Sequence, residues 1–124
     1  MTAQPLTEAQ RGALRELLRV ERAQVVRRLA SLERTFDEIV DAADLEPPDD
    51  EHDPEGTTAY ERAQVTSLVA EARHRLLQVD RALAGVDGDD HGACELCGQP
   101  IGWPRLQALP ATLRCVRCAM RRSD

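Results

Sequence analysis

The sequence predicts a mostly α-helical protein, because two observations agree. Apolar side chains recur at alternating steps of four and three residues in two long segments, which is typical of helices that pair in a coiled coil. The four cysteines, Cys94, Cys97, Cys115 and Cys118, form two C-x2-C pairs separated by seventeen residues, a spacing typical of a structural zinc site. We therefore predict a long antiparallel two-helix coiled-coil hairpin, a C-terminal four-cysteine zinc finger and a short terminal helix.

Two apolar seams define the hairpin. In an antiparallel pair the residue numbers of facing positions have a nearly constant sum, and this sum is 104 or 105 when the first seam from Val25 to Ile39 is matched with the second seam in reverse order, from Val79 to Val65. Half of that sum places the fold-back near His52 and Asp53. The first seam consists of Val25, Leu29, Leu32, Phe36, Ile39 and Ala43, and the second of Val65, Val69, Ala72, Leu76, Val79, Leu83 and Val86.

The helix ends are marked by capping residues and by proline or glycine. Thr7 to Gln10 fits a capping box, so the first helix should begin near Glu8. Pro47 and Pro48 should end it by Leu45, because proline disfavours helix before it.

The second helix should begin between Asp53 and Thr58, both candidate N-caps, and end between Gly85 and Gly88. The predicted organisation is an N-terminal tail (1–7), the hairpin (8–86) with an acidic tip (46–56), and a zinc-finger module (87–124).

The cysteine pairs allow four interpretations. Each C-x2-C turn can direct two thiolates to one point, and Gly98 supplies the unhindered residue that such a turn often needs. Two disulfides would suit a secreted protein, but residues 1–20 show no signal-peptide pattern. A redox C-x-x-C would need only one pair, and a catalytic zinc would keep one ligand position open. One structural Zn²⁺ is the favoured interpretation.

Composition limits the class of protein. The chain has 124 residues, only 2% of them aromatic, and a net charge of −6. It has no run of eighteen apolar residues, so we expect a cytoplasmic protein without a membrane span. Residues 41–55 hold eight acids and no base. This acid run is either a functional tip or a solvated connector, and its Asp53 also fits a simple N-cap.

The cysteine region resembles the zinc finger of the DksA/TraR family. The resemblance rests on Cys94 to Gly102, which reads CELCGQPIG, on Arg105 to Ala108, on Pro110, and on Cys115 to Cys118. It implies a regulator that binds bacterial RNA polymerase, inserts its coiled-coil tip through the secondary channel and modulates initiation. No nucleophile stands at a recognisable spacing from a base, so we expect no enzymatic activity. The tip residues implied to contact polymerase are Asp50, Glu51, Asp53 and Glu55.

Some positions depart from the family pattern. Asp53 and Pro54 match the tip pattern Asp-Pro-x-Asp-x-Ala, whereas Gly56 and Thr58 replace its second aspartate and its alanine. A polymerase-binding paralogue without regulatory activity is therefore one alternative.

Two basic positions of alarmone-responsive relatives are Leu109 and Ala119 here, which argues against a response to ppGpp. A second alternative is a nucleic-acid-binding zinc module that uses the arginines of the cysteine region. The net negative charge and the lack of a recognition helix argue against direct sequence-specific DNA binding. The arginines in question are Arg105, Arg114, Arg117, Arg121 and Arg122.

Overall fold

The fold is described by a computed structural model that covers residues 4–45, 54–88 and 92–121. Helix α1 spans Glu8–Leu45 and helix α2 spans Pro54–Val86. Two short helices follow, α3 at Trp103–Ala108 and α4 at Val116–Arg121. Within the described ranges the only extended pairing is one antiparallel bridge between Ala93 and Pro100. The mostly helical prediction, with a short terminal helix, is confirmed.

Helix α1 begins where its capping box predicts. The Thr7 hydroxyl accepts a hydrogen bond from the Gln10 backbone N–H at 3.1 Å, and the Gln10 side-chain carbonyl accepts one from the Thr7 N–H at 2.9 Å. Two N–H groups that a helix start leaves without partners are thereby satisfied. The described part of this helix extends to Leu45, and the residues that follow lie outside the described ranges.

The chain forms two compact units. The terminal unit comprises Met1–Ala23 and Leu76–Asp124, and the middle unit comprises Gln24–Arg75. Each unit contains part of α1 and part of α2, so both contain a segment of the predicted seam. The seam positions are buried or half-buried in both units, as expected for side chains that face a partner helix.

In the terminal unit the two long helices and the cysteine region share one core. Leu18 and Val79 are fully buried, and Leu106 of α3 is nearly so. Trp103 is partly buried and packs against this core. The core consists of Leu14, Leu18, Val79, Ala82, Val86, Cys94, Ile101, Leu106, Ala111 and Cys118.

Arginines of α1 hold the end of α2 in the terminal unit. Arg11 donates to the backbone carbonyl of Val86 at 2.8 Å, which satisfies an acceptor that the helix end leaves open. Arg15 pairs with Asp87 at 2.6 Å. Arg22 pairs with Asp80 at 2.7 Å, about two positions from the predicted register.

The middle unit buries fewer side chains than the terminal unit. Among the residues of this unit whose burial is described, Val65 and Ala72 are buried, while Phe36 and Val69 are half-buried and line a groove. Glu33 and Arg73 form an exposed cross-helix pair at 3.6 Å, again about two positions from the predicted register. The antiparallel pairing of α1 and α2 is therefore observed within this unit as well.

Candidate metal centre

The first cysteine pair lies in a tight turn between Ala93 and Pro100, which form an antiparallel bridge. The Cys94 N–H donates to the Gln99 carbonyl at 2.7 Å, and the Gly98 N–H donates back to the Cys94 carbonyl at 2.9 Å. Gly98 has a φ of +77°, a conformation that costs other residues about 1–2 kcal/mol. The prediction that this turn needs Gly98 is confirmed.

The second cysteine pair is formed by the start of α4. Cys115 precedes the helix, Cys118 lies in its first turn, and the Ala119 N–H donates to the Cys115 carbonyl at 2.9 Å. The two pairs are joined through the backbone, because the Glu95 N–H donates to the Leu113 carbonyl at 2.8 Å. A helix start and a turn thus present their cysteines to each other.

The four sulfurs form one cluster. All four Sγ atoms lie within 4.8 Å of one another, and those of Cys97 and Cys115 are 3.8 Å apart. A zinc–sulfur bond of about 2.3 Å in tetrahedral geometry places its sulfurs about 3.8 Å apart. Cys94 and Cys118 are buried while Cys97 is exposed. The donor set therefore fits one four-coordinate metal ion.

The thiols differ in their proton affinity because their surroundings differ. Burial raises the pKa of the Cys94 thiol, but backbone N–H groups of Cys115, Cys97 and Leu96 donate to its sulfur and lower the pKa to about 6. Burial and the neighbouring sulfurs raise the pKa of Cys118 to about 12. Sulfurs this close repel one another as thiolates. A divalent cation among them removes that repulsion and keeps cysteine deprotonated.

Comparison with known proteins agrees with this geometry. Residues 89–124 match the family model described as the prokaryotic dksA/traR C4-type zinc finger. The RNA polymerase-binding transcription factor DksA of Escherichia coli K12 is 31% identical over 115 residues, which cover 91% of this chain and 71% of that protein. The chain belongs to the DksA/TraR family. Its four cysteines form a C4-type zinc finger suited to one structural zinc ion, with no ligand position left for a catalytic water.

Two further relatives extend the comparison. An uncharacterised protein of Aquifex aeolicus is 32% identical over 99 residues, which cover 80% of this chain and 66% of that protein. The structure of transcription factor DksA2 from Pseudomonas aeruginosa matches with a TM-score of 0.79 at 24% identity, covering 94% of this chain and 84% of that one. The DksA2 match establishes the shared fold, a helical hairpin with a small C-terminal module.

Four polar side chains around the zinc-finger cysteines were not anticipated as parts of the site. Glu95 accepts hydrogen bonds from Arg81 at 3.1 Å and from Arg114 at 3.0 Å. Arg105 donates to the Arg114 carbonyl at 2.9 Å. Hydrogen bonding to Arg114 lowers the pKa of Glu95 against the opposing effect of burial, and Arg81 adds to the lowering. In the sequence, Glu95 was notable for its position inside a C-x2-C pair, Arg105 and Arg114 were considered only as phosphate contacts, and Arg81 carried no signal.

The structure does not test the predicted polymerase-contacting tip. Asp50, Glu51 and Asp53 lie outside the described residues. For Glu55 the structure gives only its backbone position in the first turn of α2. Their role in contacting polymerase stays a prediction.

None of the described helices combines the length and the apolar content that a membrane-spanning segment needs.

Proposed function

We propose that this protein is a transcription regulator that binds bacterial RNA polymerase. The similarity to Escherichia coli DksA carries the proposal, because it extends over 91% of the chain and includes both the hairpin and the zinc finger. The full name of that relative describes it as an RNA polymerase-binding transcription factor. The similar fold of DksA2 supports the same assignment. The protein acts in the cytoplasm, without enzymatic activity.

In the finer form of this proposal, the coiled-coil tip enters the secondary channel of polymerase and modulates initiation. Residues 46–53 connect α1 to α2 along the chain, and together with Glu55 they belong to the acid run of residues 41–55. Carboxylates approach a catalytic Mg²⁺ and the basic groups around it favourably. Asp50, Glu51, Asp53 and Glu55 are the residues that would make this approach.

The contacts of the arginines support a protein partner over DNA. Arg105 and Arg114, two candidate phosphate contacts, are engaged within the zinc-finger region. The overall charge of −6 also opposes binding to a polyanion. Leu109 and Ala119 place no cation where alarmone-responsive relatives carry one, so we propose regulation without ppGpp.

Polymerase retention tests the coarse proposal. The zinc-loaded full chain is immobilised and incubated with purified bacterial RNA polymerase, and a gel shift with naked DNA is run in parallel. We expect retention of polymerase and no stable DNA complex. Salt-sensitive DNA binding without polymerase retention would show that the nucleic-acid alternative is correct.

The tip is tested by one substitution and a matched control. Asp53→Asn should leave polymerase retention unchanged but alter the lifetime of open promoter complexes in a transcription assay. Asp37→Asn removes the same charge at an exposed position of α1 that precedes the acid run and should behave like wild type. A photo-crosslinker at position 55 should label polymerase. An Asp53→Asn variant with wild-type transcription would mean that Asp53 is only a helix cap.

A further inference from the structure

Glu95 occupies an unusual position in the zinc-finger module. It lies between two cysteines of the first C-x2-C pair, yet its backbone and side chain contact two other segments. Its N–H donates to the Leu113 carbonyl at 2.8 Å. Its carboxylate accepts from Arg81 of α2 and, through the other oxygen, from Arg114. One residue therefore joins the first cysteine turn, the approach to the second cysteine pair, and α2.

Arg114 is fixed from several sides directly before Cys115. Its Nε donates to Glu95 at 3.0 Å. Its backbone carbonyl accepts from Arg105 at 2.9 Å and from the Thr112 hydroxyl at 3.2 Å. The backbone that leads into Cys115 consequently has little freedom to shift, and it determines where the Cys115 sulfur lies.

The two ion pairs of Glu95 differ in exposure. The side chains of Glu95 and Arg114 are 31% and 32% exposed, whereas that of Arg81 is 65% exposed. Solvent screens an exposed pair more strongly. The contact with Arg114 should therefore be the stronger one, and the contact with Arg81 should be a weaker connection to α2.

We propose that Glu95 is a positioning residue that orients the Cys115 side of the zinc site and couples zinc retention to α2 through Arg81. Residues beyond the ligands commonly control how tightly a metal is held, since they determine ligand orientation. Glu95 acts here through the backbone at Arg114 and does not contact the metal. The proposal concerns the metal site and is independent of polymerase binding.

The test measures zinc transfer from the full-length protein to a chromophoric chelator, together with the absorption bands of the Co²⁺-substituted protein. Those bands report the tetrahedral thiolate geometry. Glu95→Gln should release zinc about tenfold faster and should shift the Co²⁺ bands. Arg81→Ala should accelerate release by about two- to fivefold, the range of an exposed ion pair.

Two control variants separate positioning from general stability. Glu16→Gln makes the same chemical change at an exposed carboxylate that lies 3.9 Å from Arg19, and it should leave zinc release unchanged. Ala84→Gly weakens α2 through helix propensity alone at an exposed position near Arg81. It should lower the melting temperature without accelerating release or shifting the Co²⁺ bands.

Three outcomes would overturn the proposal. Wild-type release from Glu95→Gln would exclude a positioning role. Equal acceleration by Ala84→Gly at a matched loss of melting temperature would show that Glu95 contributes stability only. Wild-type release from Arg81→Ala would exclude coupling to α2. Conversely, partial recovery of slow release in Glu95→Asp, which keeps the carboxylate on a shorter side chain, would support the proposal.

Discussion

The terminal unit and the middle unit use the same two helices and the same heptad pattern, yet they bury their seams to different extents. Of the described residues, ten form the core of the terminal unit, whereas the middle unit buries only Val65 and Ala72. The difference arises because the zinc finger adds side chains such as Ile101 and Leu106 to the terminal core. Two helices alone leave their seam partly open to water, and a third element closes it.

Zinc removal should have the largest effect and should fall on the terminal unit. Structural zinc contributes on the order of 10 kcal/mol in small zinc domains, and here it joins segments whose cysteines belong to the core. Chelation or Cys115→Ser should change the fluorescence of Trp103, the only tryptophan, while circular dichroism retains part of the helical signal.

A zinc-saturated chelator is the control for this experiment and should change neither signal. Unchanged zinc content in purified Cys115→Ser would contradict the four-cysteine ligand set. Complete loss of helix on chelation would mean that the middle unit has no stability of its own.

Matched leucine truncations should show the next largest difference. Leu18 is fully buried in the terminal unit, so Leu18→Ala should lower the free energy of unfolding by about 3 kcal/mol. Leu32 is half-buried in the middle unit, and Leu32→Ala should cost about 1 kcal/mol. Urea unfolding followed by circular dichroism measures both values. Equal costs would show that the units do not differ in packing.

Two glycine substitutions should change stability in opposite directions. Gly12 lies inside α1, where an added Cβ meets no atom within 4 Å. Gly12→Ala should therefore stabilise the protein by about 0.5–1 kcal/mol. Gly98→Ala should destabilise the zinc-finger turn by about 1–2 kcal/mol because of its positive φ. Thermal melts of both zinc-loaded variants measure these changes, and a stabilising Gly98→Ala would contradict the turn geometry.

The exposed cross-helix ion pairs should have the smallest effects. Glu33→Gln removes the 3.6 Å pair with Arg73 in the middle unit, and Asp80→Asn removes the 2.7 Å pair with Arg22 in the terminal unit. Each should cost less than about 1 kcal/mol, and both costs should shrink at high salt. A cost above that of Leu32→Ala would mean that charge rather than packing stabilises the middle unit.

The sequence was sufficient for features that depend on local spacing. The seam positions, the capping box at Thr7 and the cysteine cluster all follow from periodicity or from short-range geometry, and each is present in the structure. The sum rule also predicted, to within about two positions, the register seen in the Arg22–Asp80 and Glu33–Arg73 pairs.

The polar contacts of the zinc-finger region could not be predicted in this way. Arg11 donates a hydrogen bond to the Val86 carbonyl, 75 positions later in the sequence, and Glu95 accepts one from Arg114, 19 positions later. An arginine has many candidate partners in sequence, and only the packed backbone determines which one is within reach. For the same reason Arg114, a candidate phosphate contact in sequence, forms an internal ion pair.

The terminal unit is assembled from two segments that are far apart in the chain, and this affects how the protein folds during synthesis. Leu14 and Leu18 leave the ribosome about a hundred residues before Cys118, which shares their core. At roughly 5–20 residues per second, Cys118 is synthesised on the order of 5–20 s after the α1 residues with which it packs. The middle unit, whose two helical segments lie closer in sequence, can pair its helices earlier. Zinc capture at Cys118 is then a late step in the assembly of the core that Cys118 shares with Leu14 and Leu18.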